Sequence, residues 1–202
     1  MIYIVGIGPG NRDYMIQKAL NVMEECDLII GFKRAVESLD FISTHKECMK
    51  TLSDLDKYIL EDNDKNIAVI ASGDPTFYGI TNYIKSKSKF DFEIIPGISS
   101  FQYMTCKTKL PWNNAYLGSL HGRKENFIED VKNNELSIWL TDKENNPAVL
   151  CRILKDEEID CRVLIGENLS YYDEFIYEGR PDEFVEKEFN SLNIFIVNKN
   201  DC

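Results

Sequence analysis

The chain has 202 residues, 44% hydrophobic and 28% charged, which suits an ordinary soluble globular protein of one large domain or two small ones. A formal net charge of −11 argues against nucleic acid as the main partner, because neutralising phosphates needs a basic surface. There is no run of about 18 apolar residues to cross a membrane, and MIYIVGIG has neither the basic start nor the small-residue cleavage site of a signal peptide. No membrane association and a cytoplasmic location are therefore expected.

IYIV (2–5) reads as a short buried strand. Residues 13–25 place Ile16, Ala19, Leu20 and Met23 on one helical face. Leu28, Ile29 and Ile30 form a second strand, ended by Gly31. A helix follows over 53–61, with Ser53 or Asp54 as its cap. NIAVIAS (66–72) is a third strand running into Gly73, and a helix is expected over 76–87. FEIIPG (92–97) is a fourth strand stopped by Pro96, with Ser99 or Ser100 opening the next helix. The β-α-β-α order predicts a mostly parallel sheet with helices on its faces.

LPWNNAYLG (110–118) breaks the rhythm and reads as a connection. Beyond it a helix is expected over 124–133, a strand at LSIWL (136–140), a helix over 147–157 and a strand at CRVLIG (161–166). YYDEFIYEG (171–179) and NIFIV (193–197) read as strands around a short helix at 181–188. The second half is also α/β, with antiparallel strands at its end. The expected domains are 1–110 and 115–202.

The first loop, VGIGPGNRD (5–13), only partly matches the dinucleotide fingerprint G-x-G-x-x-G. Gly6 and Gly8 fit, but Asn11 holds the third glycine position and Gly10 comes one residue early. Pro9 has no N–H to give a pyrophosphate. Asp27 precedes the second strand, where the fingerprint wants an acid at its end. A tight strand-to-helix turn is the alternative. Two further turns, ASGDPTFYG (71–79) and PGISSF (96–101), fall on the same rim of the sheet, where open α/β sheets bind ligands. Asp74 offers a carboxylate there. Ile94 to Lys124 holds no Asp or Glu, where about five acids would be expected, yet carries Lys107, Lys109, His121, Arg123 and Lys124. The six cysteines form no C-x-x-C pair, and with His45 and His121 as the two histidines no metal cluster is expected. Scattered cysteines fit a reducing compartment.

In order and spacing, GIGPG, ASGDPTFYG and PGISSFQ resemble the tetrapyrrole methyltransferase family, which uses S-adenosylmethionine. The resemblance spans essentially the whole chain. IGFKRAVESL (30–39) and PWNNAYLGSLHGR (111–123) are most similar to the branch that methylates C5 of a cobalt-precorrin in cobalamin biosynthesis. The alternatives are another tetrapyrrole position or another substrate on the same fold and, further off, a nicotinamide-dependent oxidoreductase. The resemblance implies two α/β domains with S-adenosylmethionine in a cleft between them, a homodimer, a corrinoid substrate and a separate C15-methyltransferase/decarboxylase partner. It implies cofactor contacts from Pro9, Gly73, Asp74, Phe77, Ser99 and Ser100, with Leu140 and Leu169 added by the second domain. The family often has a glycine-containing end where this chain reads Leu140-Thr141-Asp142. Carboxylate arms of the substrate would meet Arg123, Lys107 and Lys109, with Lys124, Arg12 and Arg34 as further cations. His121 is the candidate for moving a proton. An electron-rich ring carbon is the nucleophile, so no Ser, Cys or His nucleophile is needed. Trp112 and Tyr116 are read as ring-stacking or packing residues, and Tyr171, Tyr172, Phe175 and Tyr177 as core or dimer contacts on one strand.

Overall fold

A computed structural model describes residues 1–60, 64–122 and 126–200. The chain divides into two units, Met1–Ser100 and Phe101–Cys202.

The first unit is built on five parallel strands: β1 (Ile2–Gly6), β2 (Leu28–Phe32), β3 (Lys46–Met49), β4 (Ile67–Ala71) and β5 (Phe92–Ile95), in the order β3-β2-β4-β1-β5. Helices α1 (Gln17–Glu25), α2 (Lys33–Glu37), α3 (Asp56–Ile59) and α4 (Thr81–Lys87) cover it. Side chains alternate between faces with the period of two that a strand imposes. Val5, Ile29, Ala68 and Ile70 pack against Ala19, Val22 and Met23 of α1 and Ala35 and Val36 of α2. Ile4, Leu28, Ile30 and Val69 pack on the other side with Leu55, Ile59, Ile80 and Ile84. Both faces are buried, which is why these strands read as unbroken apolar runs.

The details differ from the sequence reading, which gives neither α2 nor β3. Gly31 does not end β2: a Cβ there would stand 2.3 Å from Cγ1 of Ile70, so the glycine makes room for a neighbouring strand. The helix expected from 13 starts at Gln17, because Asn11 caps a separate 3-10 turn at Arg12–Tyr14 by accepting from the Asp13 N–H at 2.9 Å. The helix expected over 53–61 is a 3-10 turn, Leu52–Leu55, leading into α3. Thr51 is its cap and Asp54 reaches back to the Thr51 N–H at 3.0 Å, a capping box. The helix expected from 76 begins at Thr81, after a turn in which Tyr78 takes φ +51°.

The second unit holds β6 (Tyr116–Ser119), β7 (Leu136–Leu140), β8 (Arg162–Glu167), β9 (Phe175–Gly179) and β10 (Asn193–Asn198), in the order β6-β7-β10-β8-β9. β6 is parallel to β7, while β10 runs antiparallel to both β7 and β8, and β9 antiparallel to β8. β6, β7 and β8 therefore point the same way. α5 (Ser100–Thr108) opens at the last residue of the first unit; α6 (Phe127–Asn133) and α7 (Pro147–Asp156) follow. α7 starts where Asn146 accepts from the N–H groups of Ala148 and Val149, with Pro147 in the first turn. Trp139 is fully buried, its ring 5.0 Å from Phe127 and 5.3 Å from Tyr116, and its indole N–H donates to Ser137 Oγ at 2.9 Å. Tyr116 thus belongs to β6 and the core, not to a connection. Tyr171 and Tyr172 lie in a turn ahead of β9, with Tyr172 101% exposed, so the strand is shorter than expected. The helix expected at 181–188 is only a 3-10 turn, Pro181–Glu183, in which the Glu183 carboxylate accepts from the Arg180 N–H at 2.6 Å. Among the described residues no helix is long and apolar enough to cross a membrane.

Candidate functional site

β4, β1 and β5 are neighbours in the first sheet, so the loops beyond their carboxyl ends emerge side by side. α1 leaves β1 toward one face and α4 leaves β4 toward the other. That divergence is the switch point at which open α/β sheets bind ligands. Here the loops are joined by their backbones. The Ile7 N–H donates to Ala71 O at 3.0 Å, Gly73 N–H to Gly8 O at 2.7 Å, and Gly8 N–H to Gly73 O at 3.3 Å. Asp74 Oδ2 takes the Gly97 N–H at 3.3 Å, tying the third loop to the second. Backbone packs on backbone so closely that side chains cannot enter: a Cβ on Gly97 would stand 2.2 Å from Gly73 O, and one on Gly6 would stand 2.6 Å from Gly97 N.

The structure brings together six residues expected on this rim. Pro9 is buried in the first turn. Gly73 holds φ +67°. Asp74 works mainly within the rim: besides Gly97, its Oδ1 accepts from the Thr76 N–H at 2.7 Å and from the Thr76 hydroxyl. Phe77 is half-buried and meets Tyr78 edge-on at 5.0 Å. Ser99 is buried just before α5, and Ser100 is its first residue. With a proline at the turn and Asn11 engaged as a cap, the first loop does not form a phosphate cradle.

In the second sheet, the parallel sense of β6, β7 and β8 puts His121, Leu140 and Leu169 on one edge. Leu140 ends β7, and its carbonyl accepts from the Leu120 N–H at 2.8 Å. His121 is exposed, with Nδ1 3.1 Å from the Thr141 carbonyl oxygen. A carbonyl only accepts, so Nδ1 is the donor in this contact. Leu169 is 4% exposed, in the turn after β8.

Asp142 organises this edge and was not among the expected site residues. Its Oδ1 accepts from the N–H groups of Asn145 at 2.7 Å and Glu144 at 2.9 Å, and its Oδ2 from the Gly122 N–H at 3.0 Å. The Asn145 and Gly122 N–H groups, aided by Glu144 and the Asn145 side chain, hold its carboxyl below the ordinary 3.8 against a smaller opposing effect of burial. The signal was the run T-D-K-E-N-N-P, whose Asp and Asn residues favour such turns.

Lys107 pairs with Glu174 at 3.3 Å. Lys109 ends α5 in a left-handed turn, φ +57°, and is exposed. The Arg12 guanidinium lies 4.5 Å over the Phe41 ring, and Arg34 lies exposed on α2. Arg123 and Lys124 lie outside the described residues. Trp112 packs edge-to-face on Phe101 at 5.1 Å.

A family model described as Tetrapyrrole (Corrin/Porphyrin) Methylases matches residues 1–184. The chain belongs to this family. The methylase is 35% identical to the probable cobalt-precorrin-7 C(5)-methyltransferase of Methanocaldococcus jannaschii, over 97% of each chain. It is 33% identical to the cobalt-precorrin-7 C(5)-methyltransferase of Salmonella typhimurium, over 88% of this chain and 89% of the relative. Its fold is shared with the uroporphyrin-III C-methyl transferase of Thermus thermophilus complexed with S-adenyl homocysteine, at a TM-score of 0.78 and 17% identity, over 98% of this chain and 92% of the other.

Proposed function

We propose that this methylase transfers a methyl group from S-adenosylmethionine to C5 of a cobalt-precorrin in cobalamin biosynthesis. The observation that carries this reading is the 35% identity to a probable C(5)-methyltransferase over 97% of both chains. The family match leaves the nicotinamide alternative without support.

The rim of the first sheet suits such a donor, which bears a nucleoside and no phosphate. Pro9, Gly73, Asp74, Phe77, Ser99 and Ser100 are the proposed contacts there; Leu140 and Leu169 are those proposed in the second unit. The bound donor supplies an activated methyl group, which the ring carbon takes directly. The protein's task is then alignment and exclusion of water. Thiol chemistry is not required, and the buried cysteines do not favour it. Burial and then Asp27 push the Cys26 thiol up to about 11, and burial and then Cys161 push Cys151 to about 12. Nε2 of His121 is the proposed proton acceptor. Replacing His121 with Ala lowers kcat about 100-fold while leaving the affinity for S-adenosylhomocysteine unchanged. Arg123 and Lys109 are proposed to meet substrate carboxylates, and Arg123→Ala raises the corrinoid KM with little effect on donor affinity. Five cysteines among the described residues stand outside any disulfide, which supports a reducing, cytoplasmic setting. A homodimer is carried over from the family resemblance.

The test is anaerobic incubation with cobalt-precorrin-7 and S-adenosylmethionine labelled with carbon-13 in the methyl group. The label is expected on C5 by NMR. Label on another ring carbon, or none transferred, sinks the assignment.

A further inference from the structure

In the turn after β8, two residues that are not glycine stand in left-handed backbone: Asn168 at φ +46° and Ser170 at φ +71°. Such conformations persist only where surrounding bonds impose them. Leu169 lies between them, packed over Gly166, where an added Cβ would stand 2.8 Å from both Leu169 Cδ2 and Met104 Sδ of α5.

One of the bonds that hold the turn ends on the Glu174 carboxylate. The Ser170 N–H donates to Glu174 Oε2 at 2.6 Å. Asn168 is fixed from two other directions, its side chain donating to Asp173 at 2.8 Å and its N–H to Leu192 O at 3.0 Å. Glu174 is itself gripped by α5: Lys107 Nζ lies 3.3 Å from Oε1, and the Tyr103 hydroxyl bonds the same carboxyl group. The Glu174 side chain is only 18% exposed. Burial pushes its carboxyl up, but Tyr103, the Ser170 N–H and Lys107 together hold it below the ordinary 4.5. It is therefore ionised at neutral pH, as a charge-assisted bond to Ser170 requires.

We propose that Glu174 is a positioning residue for donor binding: clamped by Lys107 and Tyr103, it holds the Ser170 N–H and so sets the Leu169 turn in the form that meets the nucleoside. The proposal rests on the reading of Leu169 as a nucleoside contact. It gives Lys107 a role toward the donor and removes it from the substrate's carboxylate arms.

The test is calorimetric titration of S-adenosylhomocysteine into the intact chain. Glu174→Ala weakens binding about tenfold, and Glu174→Gln recovers most of that loss because its amide oxygen still accepts from Ser170. Lys107→Met weakens binding about threefold alone and not at all in the Glu174→Ala background, the mark of a shared pathway. In steady state the KM for S-adenosylmethionine rises and the KM for the corrinoid does not. The proposal is overturned if Glu174→Ala, folded with a native melt, binds like the wild type, or if Lys107→Met raises only the corrinoid KM. Should Glu174→Ala not fold, unchanged affinity in both Glu174→Gln and Lys107→Met overturns it equally. Wild-type binding with unaltered variants defeats the latch alone. A wild-type chain that binds no S-adenosylhomocysteine defeats the functional reading, and the latch with it.

Discussion

The two units shape their functional edges by opposite means. In the first, loops meet because side chains are missing: Gly6, Gly73 and Gly97 let three backbones touch. In the second, loops are held by side chains that reach across: Asp142 gathers N–H groups from Gly122, Glu144 and Asn145, and Glu174 gathers Ser170 and Lys107. The first construction has no slack, and Asp74 only adds a tie between loops whose backbones already touch. The second is adjustable and answers to pH. A substitution at a glycine-built edge acts through sterics and is hard to relieve, whereas one at a carboxylate-built edge removes bonds that water can partly replace.

Gly97→Ala gives the largest effect. Its Cβ would meet the Gly73 carbonyl at 2.2 Å, and that backbone atom cannot swing away. A loss of about 3 kcal/mol and a fall in Tm of roughly 6–12 °C are expected by calorimetry, together with lost S-adenosylhomocysteine binding. A melt within about 1 °C of the wild type would contradict the backbone-on-backbone account.

Asp142→Asn comes next, at about 1 kcal/mol near neutral pH, since the edge is partly open to water. The folded carboxyl sits below its ordinary 3.8 because of the Asn145 and then the Gly122 N–H groups. Its contribution is therefore complete above that value and is lost as pH falls through the lowered folded pKa. The melts of wild type and variant should differ at pH 7 and converge in acid. A gap that stays constant with pH would show that the charge is immaterial.

Gly122→Ala is expected to be as mild as Asp142→Asn and far milder than Gly97→Ala. Gly122 holds φ +64°, but among the described residues, its chain neighbours aside, no atom lies within 4 Å of an added Cβ. Only the left-handed backbone is penalised, by about 1 kcal/mol. Denaturant titration beside Gly97→Ala separates the two kinds of glycine directly. Equal losses would erase the distinction between the edges.

The same contrast explains what could be read in the sequence. The parallel core of the first unit was legible because IYIV and NIAVIAS are apolar on both faces, and its rim because glycines mark the turns. β3 was not legible: KECM is a short, half-polar strand at the sheet edge. The late start of α4 was hidden because Tyr78, not a glycine, takes the left-handed turn. In the second unit, LSIWL and NIFIV stood out, while the carboxylate contacts did not. The acid-free stretch from Ile94 to Lys124 suggested a cationic wall, yet Glu174 comes to Lys107 and Asp142 to Gly122 from distant parts of the chain. Sequence spacing cannot show which acids a fold delivers to a basic segment.

The central claim is that the glycine-built rim of the first unit receives the donor's nucleoside. A crystal structure of the chain soaked with S-adenosylhomocysteine measures this directly. The account predicts density for the nucleoside against Pro9, Gly73, Asp74, Ser99 and Ser100. Density for that ligand elsewhere, with these residues untouched, would contradict it.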